Sequence, residues 1–228
     1  MVKKAPRRTA ERIVTVSLDL FNRFGEPNVS TTLISSELNI SPGNLYYHFP
    51  NKDAIIFELF QQYADQMQST LHLPSDRPLT QADKVLLFEH ILDCLWRYRF
   101  LHRDMTHLIT DNAELREHYR DFATRMLNNV RMLYVLQIGS GLLEATEDDI
   151  SALLVNIWII ATSWVNFLST TGFFGFQEPL TQAMLRQGIY QVICLEGPYL
   201  RGEARTGLAE LKARYGQALR VDDPRTQA

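Results

Sequence analysis

Residues 29–55 read VSTTLISSELNISPGNLYYHFPNKDAI, and this stretch decides the fold expected for the whole chain. Its apolar spacing predicts two short helices joined by a tight turn, followed by the start of a third helix. Ser30 and Ser41 are placed to cap helix N-termini, and Pro42 follows at a first helical position, which its fixed φ suits. Asn39 occupies the turn, because asparagine tolerates the left-handed conformation better than any residue except glycine. The pattern is typical of a helix-turn-helix.

The second short helix is expected to turn Leu45 and Phe49 toward the core. Six residues then lie on its outer arc: Pro42, Gly43, Asn44, Tyr46, Tyr47 and His48. A helix presented in this way fits the DNA major groove, where asparagine can pair with adenine and the aromatic residues can contact phosphate, sugar or thymine methyl groups. The hydroxyls of Thr31 and Thr32 and the cation of Lys52 suit phosphate contacts at helix N-termini.

Each of these side chains also has a purely structural interpretation. One of Tyr46 and Tyr47 could be a half-buried packing aromatic, Lys52 a solvated charge and Asn44 a surface amide in contact with water. The sequence leaves these alternatives open.

The remainder of the chain shows helical spacing of apolar residues and no strand-like alternation or internal repeat. A first helix is expected to begin at Thr9, as its N-cap, and to end at Gly25. The fold class is therefore predicted to be all-α. Residues 1–53 would form a basic arm and a helix-turn-helix domain that binds DNA, and residues 54–228 a larger helical domain.

Composition agrees with a DNA-binding protein that presents one end to its partner. The 228 residues have a net charge of −3, but residues 1–53 carry seven basic and five acidic residues, +2, which leaves −5 for the rest. Basic N-terminal tails are also often simply solvated. Cys94 and Cys194 are expected to be free thiols, with a disulfide as the open alternative. No apolar signal segment follows the basic start, so a cytoplasmic location is expected.

Residues 153–168 form the most apolar run of the chain. The run is interrupted by three polar residues and is shorter than the roughly 20 apolar residues of a membrane span, so a core or interface helix is the better interpretation. A helix that is apolar nearly all round must be covered on every side, and a second subunit is a natural cover. We therefore expect a homodimer formed through about residues 150–169 and 181–195.

The motif residues carry a family resemblance. Phe24-Gly25, residues 31–35, the block ISPGNLYYHF at residues 40–49 and Asn51-Lys52-Asp53 together resemble the DNA-binding domain of the tetracycline-repressor (TetR) family, from about Thr9 to Phe60. The resemblance implies a two-domain, all-helical, homodimeric transcription regulator. Its C-terminal domain would bind a small molecule and dimerise, usually through its last two large helices.

The family's DNA contacts carry over onto Thr31, Thr32, Pro42, Gly43, Asn44, Tyr46, Tyr47, His48 and Lys52. Two residues depart from the family pattern. Leu38-Asn39 stands where Ala-Gly is usual, which is chemically tolerable. Thr32 stands where a base-reading arginine is common, so direct base readout is expected to be thin, with phosphate contacts and DNA shape contributing more.

The C-terminal half is rich in aromatic residues, which suit a core and dimer interface or an apolar ligand pocket. The residues proposed for such a pocket are Trp96, Phe100, His102, Met105, Asn156, Trp164 and Phe167. We found no catalytic motif, and we expect no metal site, no cofactor and no enzymatic activity. The predicted function is a repressor released from a palindromic operator by a small apolar ligand. The alternative is a regulator without such an effector, whose C-terminal domain serves only dimerisation or protein contacts.

Overall fold

The computed structural model describes residues 6–71, 77, 80–110, 112–171 and 180–216. In chain order their α-helices are α1 (Pro6–Phe24), α2 (Thr31–Glu37), α3 (Pro42–His48), α4 (Lys52–Thr70), α5 (Gln81–Arg97), α6 (Arg99–Thr110), α7 (Ala113–Gly139), α8 (Glu147–Thr171), α9 (Gln182–Glu196), α10 (Gly202–Thr206) and α11 (Leu208–Tyr215). Short 3-10 helices cover Glu26–Asn28 and Gly197–Tyr199. Within this part of the chain the β pairing is one isolated bridge, between Leu143 and Leu200. The all-α prediction is confirmed.

Two helix boundaries differ from those predicted. The first helix begins at Pro6 and not at Thr9, because a proline is tolerated in the first helical turn, where its missing N–H would have no partner. Residues 85–101 are rich in large apolar residues and their sequence predicts one continuous helix, but the structure divides them between α5 and α6. The side chain of Asn22 stabilises the division: its Nδ2 donates to the Arg97 carbonyl at 2.8 Å, and its Oδ1 accepts from the Phe100 N–H at 3.1 Å. Sequence periodicity does not reveal this contact.

The chain falls into two compact units. The first unit comprises residues Met1–Met67 and Arg97–Asp121. Its core takes buried side chains from the stripes of α1, α2, α3 and α4, including Ile13, Phe21, Ile34, Leu45 and Leu59, each with no exposed surface. Arg103 of α6 donates to the Phe21 carbonyl at 2.8 Å, which ties α6 to the end of α1. These contacts give α2 and α3 a rigid support.

The second unit comprises residues Gln68–Trp96 and Phe122–Ala228. Helices α8 and α9 pack closely, and the indole Nε1 of Trp164 donates to the Met184 carbonyl at 2.8 Å. Gly188 permits this approach, because a Cβ at that position would lie 3.1 Å from the Trp164 ring. Helix α11 packs on α9, and Glu89 of α5 accepts a hydrogen bond from Tyr215 at 3.0 Å.

Helix α8 has a large uncovered apolar face. Val155, Ile159 and Phe167 are 57%, 53% and 37% exposed. Among the described helices, α8 is long and apolar enough to cross a membrane, and 22% of its most apolar 18-residue window is buried inside the chain. Residues 172–176, GFFGF, are expected from the sequence to form an aromatic loop, and they lie outside the described residues. The division into functional domains at residues 53 and 54 stays a prediction.

Candidate functional site

The helix-turn-helix is stabilised by the two helix N-caps and the turn residue that its sequence predicts. The Ser30 hydroxyl accepts from the Leu33 N–H at 3.1 Å, and the Ser41 hydroxyl accepts from the Asn44 N–H at 3.2 Å, so both serines are N-caps. Asn39 has φ of 54° and is the one described non-glycine residue with positive φ. These three residues set the angle at which α3 leaves the turn.

One face of α3 is uncovered. Leu45 is fully buried, whereas Tyr46 and Tyr47 are 49% and 78% exposed. Pro42, Gly43 and Asn44 are also exposed. Gly43 is not required by packing within the chain, because a Cβ there would meet a single atom, the Ser41 Oγ, at 4.0 Å. A glycine that packing within the chain does not require, at the start of a surface helix, is suited to close approach by an external partner.

Two polar contacts orient the aromatic residues of this face. The Tyr46 hydroxyl lies 2.9 Å from the Thr31 hydroxyl and links the start of α2 to α3. The rings of Tyr47 and His48 meet edge to face, with centroids 5.1 Å apart. Since Tyr46 and Tyr47 are both exposed residues, their hydroxyls are suited to contact a phosphate.

Lys52 begins α4, as expected, but its ammonium already has partners within the chain. Its Nζ lies 2.5 Å from the Glu26 carboxylate and donates to the Glu26 and Val29 carbonyls at 3.2 and 3.1 Å. The Glu26 side chain is 4% exposed and the Lys52 side chain 28%. The Lys52 ammonium therefore joins the 3-10 helix Glu26–Asn28 to the start of α4. A phosphate would compete with three oxygen partners, so this geometry favours a positioning role over the predicted DNA contact.

The other eight predicted DNA-binding residues lie on α2 and α3, at the starts of the two helices or on the α3 outer face. Thr31 and His48 are half-buried, and the remaining six are exposed. The structure thus brings them into one surface. Glu26, which sequence reasoning missed, gave no local signal, because its partner lies 26 residues along the chain.

The second unit contains an apolar cavity of about 120 Å3. Side chains from α5, α7, α9 and α11 contribute to its apolar wall, which consists of Leu71, Leu87, Phe88, Ile91, Val130, Leu133, Leu142, Ile157, Val192, Leu200, Ala204 and Leu211. Its polar lining residues are Thr80, Asp83, Lys84, Tyr134, Gln137, Glu196 and Glu203. A mostly apolar cavity with a few converging polar groups is typical of a small-molecule site.

The polar part of the wall includes an ion pair between Lys84 and Glu196 and the phenol of Tyr134, which is hydrogen-bonded to the pair. Lys84 Nζ donates to Glu196 Oε2, and the Tyr134 hydroxyl donates to Glu196 Oε1 at 2.8 Å. Burial, together with the negative charge of Glu196, raises the pKa of Tyr134 well above its ordinary value. Tyr134 therefore stays protonated and acts as a donor to the carboxylate.

The seven residues predicted for a ligand pocket do not line this cavity. Phe100, His102 and Met105 belong to the first unit, and Trp96, Asn156, Trp164 and Phe167 belong to the second. Phe100 is fully buried, and burial lowers the pKa of His102 to about 4. Asn156 donates to the Ala152 carbonyl at 2.8 Å on the exposed side of α8, and Trp164 stacks on Phe167 with centroids 5.3 Å apart. The set is not one pocket, because the apolar pattern of a helix does not show which helices it faces.

The cavity residues Lys84, Tyr134 and Glu196 were not identified from the sequence. One local signal existed: Glu196 ends the otherwise apolar run IYQVICLE of α9. A carboxylate in such a run requires a partner when it is buried. The identity of that partner, on α5 and 112 residues earlier in the chain, follows only from the packing.

Comparison with known proteins identifies the family of the chain. A family model described as bacterial regulatory proteins of the tetR family matches residues 13–59. A second model, TetR bacterial transcriptional repressor, matches residues 62–208. The chain is similar to a TetR-family transcriptional regulator from Marinobacter aquaeolei VT8, with 40% identity over 91% of this chain and 98% of that one and a TM-score of 0.82.

More distant structures share the fold. A transcriptional regulator from Saccharomonospora viridis, crystallised in complex with choline, is 20% identical over 86% of this chain and 100% of that one, with a TM-score of 0.64. A TetR transcription regulator from Haloarcula marismortui is 11% identical over 86% and 100% of the two chains, with a TM-score of 0.65. The two family models together cover most of the chain, and the exposed α3 agrees with them. This protein therefore belongs to the TetR family of transcriptional regulators, with an N-terminal helix-turn-helix and a C-terminal helical domain.

Proposed function

We propose that the protein is a homodimeric repressor that binds a palindromic operator and is released by a small apolar effector. The observation that carries the DNA-binding part is the uncovered face of α3, with Tyr47 78% exposed and Asn44 beside it. We infer that the repressor has no enzymatic activity and acts in the cytoplasm, as regulators of this family are generally non-enzymatic DNA-binding proteins.

The exposed polar side chains of α3 support a mixed mode of DNA recognition. Asn44 is suited to pair with adenine, whereas the hydroxyls of Tyr46 and Thr31 are suited to phosphate. Neither α2 (TTLISSE) nor α3 (PGNLYYH) contains an arginine for guanine readout. Phosphate contacts and DNA shape would then contribute much of the affinity, and two half-sites would supply specificity that one copy lacks.

The exposed apolar face of α8 supports dimerisation through α8 and α9. Val155 and Ile159 lie one turn apart and are both more than half exposed. Such a stripe is unfavourable in water, and a second copy of the same helix would cover it with twofold symmetry.

The cavity supports an effector site. Its wall is largely apolar, as expected of a ligand pocket, and its lining residues belong to the second unit, whereas α3 belongs to the first. One observation favours the alternative of a regulator without an effector: both oxygens of Glu196 are already bonded, to Lys84 and Tyr134, as they would be in a closed core.

The DNA-binding proposal is tested by fluorescence anisotropy with fragments from upstream of the protein's own gene at several salt concentrations. Tyr47→Ala should weaken binding to all sequences, and Asn44→Ala should change base preference. Gln61→Ala, an exposed change on α4, is the control. The repressor proposal fails if no specific complex forms at any salt concentration.

The dimer proposal is tested by sedimentation at micromolar concentration. The native chain should sediment at twice its mass of 26.3 kDa. Val155→Lys with Ile159→Lys should shift it toward one chain, whereas Thr124→Lys, at an exposed position of α7, should not. A native monomer at this concentration would contradict the proposed interface.

A further inference from the structure

The charged groups on the cavity wall are arranged in pairs. The first pair is Lys84 with Glu196, whose side chains are 16% and 7% exposed. Both carboxylate oxygens of Glu196 are occupied, one by Lys84 and the other by Tyr134. The anion is therefore fully neutralised and hydrogen-bonded before any ligand enters.

The second pair lies at Asp83, which also lines the cavity. Arg77 donates to both of its oxygens at 2.6 and 2.7 Å, and Thr80 donates to it from its hydroxyl and its N–H. The hydrogen bonds from Arg77 and Thr80 hold the pKa of Asp83 well below its ordinary value, so it stays ionised and paired. Glu203 is the remaining charged lining residue, and it is exposed to water.

A donor nevertheless remains available inside the cavity. An ammonium group has three N–H bonds, and within the part of the chain that the structure describes Lys84 donates one hydrogen bond, to Glu196. Its Nζ also lies 5.7 Å from the centroid of the Phe88 ring. Two N–H groups can therefore be offered to a ligand acceptor without disturbing the ion pair.

We infer that the effector is an uncharged, mainly apolar molecule with one hydrogen-bond acceptor, such as a carbonyl. This acceptor binds the remaining N–H groups of Lys84. The inference rests on the proposed function. Its apolar part lies against Leu133, Val192 and their neighbours on the wall. The volume of about 120 Å3 is close to that of an engineered apolar cavity of about 150 Å3 that accepts benzene, so one ring with a short substituent is the expected size.

Charged ligands are disfavoured by the same geometry. An anion would share Lys84 with Glu196 and place two negative charges next to each other in an apolar site. A cation would approach a carboxylate whose two oxygens are already occupied, and it would lie beside Lys84. Either ligand would bury a charge without a partner of its own, which proteins strongly resist.

Four probes of nearly equal size test this inference: acetophenone, ethylbenzene, benzoate and benzylammonium. Their binding to the full-length protein is measured by ligand-observed NMR titration. Acetophenone should bind about tenfold tighter than ethylbenzene, because it adds a hydrogen bond to a charged donor. Benzoate and benzylammonium should bind at least about tenfold more weakly than acetophenone. Val130→Trp, which fills the cavity, should abolish all binding.

Lys84→Met with Glu196→Leu and Tyr134→Phe removes the ammonium donor and the two groups bonded with it, since Lys84→Met alone would leave a buried carboxylate without its cation. This triple variant keeps the net charge and should bind acetophenone no better than ethylbenzene. Lys212→Met with Glu210→Gln, a charge-neutral pair of changes on α11, should retain the tenfold preference.

Each outcome decides one claim. Equal binding of acetophenone and ethylbenzene to the native protein, or a preference that survives Lys84→Met with Glu196→Leu and Tyr134→Phe, overturns the role of Lys84. Binding of either ion as tight as that of acetophenone overturns the charge argument but leaves an effector cavity. If none of the four probes binds, both this inference and the effector part of the proposed function are lost, while DNA binding is judged separately.

Discussion

Replacement of Gly43 by alanine should stabilise the protein and weaken its binding to DNA. Gly43 lies in the first turn of α3, and its new Cβ would meet the Ser41 Oγ at 4.0 Å, which is ordinary contact. Alanine in a helix is favoured over glycine by about 0.5–1 kcal/mol, because glycine loses more backbone freedom on folding. The free energy of unfolding should therefore rise by up to about 1 kcal/mol.

The effect on DNA binding has the opposite sign. If the base edges approach the α3 backbone at Gly43, a methyl group in that space is overpacked, and overpacking costs about 1–3 kcal/mol. This range corresponds to an affinity about 5- to 150-fold weaker. Urea unfolding gives the stability, and fluorescence anisotropy with the operator gives the affinity.

The matched control is Gly139→Ala, at the end of α7. A Cβ there meets no atom within 4 Å, and the residue belongs to the second unit, so the DNA affinity should not change. Unchanged affinity of Gly43→Ala would refute the close approach of DNA at this position. Reduced stability of Gly43→Ala would refute the claim that the space around Gly43 is open.

Three further predictions address the supporting structure. Lys52→Met leaves the buried Glu26 carboxylate without its cation, so the free energy of unfolding, measured with urea, should fall by about 3–5 kcal/mol. Glu26→Gln in the same chain should recover most of this loss. Unchanged stability with weakened DNA binding would instead make Lys52 a phosphate contact. His102 has a folded-state pKa of about 4, below its ordinary value of 6.5, so the unfolded chain takes up its proton first and stability is lost as the pH falls from 6.5 to 4. Between pH 7 and pH 4 the native chain should lose about 3 kcal/mol more unfolding free energy than the His102→Leu variant. His90→Gln, at an exposed position, is the control and should behave like the native chain. An identical pH dependence of the native chain and His102→Leu would contradict the prediction. Gly188→Ala places a Cβ 3.1 Å from Trp164 and should destabilise the second unit by about 1–3 kcal/mol, whereas Gly139→Ala should not; equal melting temperatures of the two variants would show that Trp164 gives way freely.

Much of the helix-turn-helix and its uncovered α3 face could be predicted from the sequence because its determinants are local. Ser30 and Ser41 cap helices through N–H groups three residues away, and Asn39 needs only its own backbone preference to make the turn. The exposure of α3 then follows from the four-residue spacing of Leu45 and Phe49. Even here the sequence did not show that Lys52 is held by Glu26.

The cavity could not be predicted in the same way. Its ion pair joins α5 to α9 across 112 residues, and Tyr134 reaches the same carboxylate from α7 across 62 residues. Apolar periodicity identifies a buried stripe but not the helix that covers it, so the aromatic residues chosen from the sequence belong to two different units. Burial also changes the chemistry: His102 is an ordinary imidazole in the sequence and a neutral core group in the fold.

The sequence by itself determined the helical class, the helix-turn-helix and its outward-facing residues, since caps, turn preferences and the 3.6-residue period act over a few neighbouring positions. Only the tertiary structure decided where the internal cavity lies, which charges neutralise each other on its wall and that the Lys52 cation faces a buried carboxylate. These features depend on contacts between residues far apart in the chain, and the free energy of each contact is set by how the helices pack and exclude water.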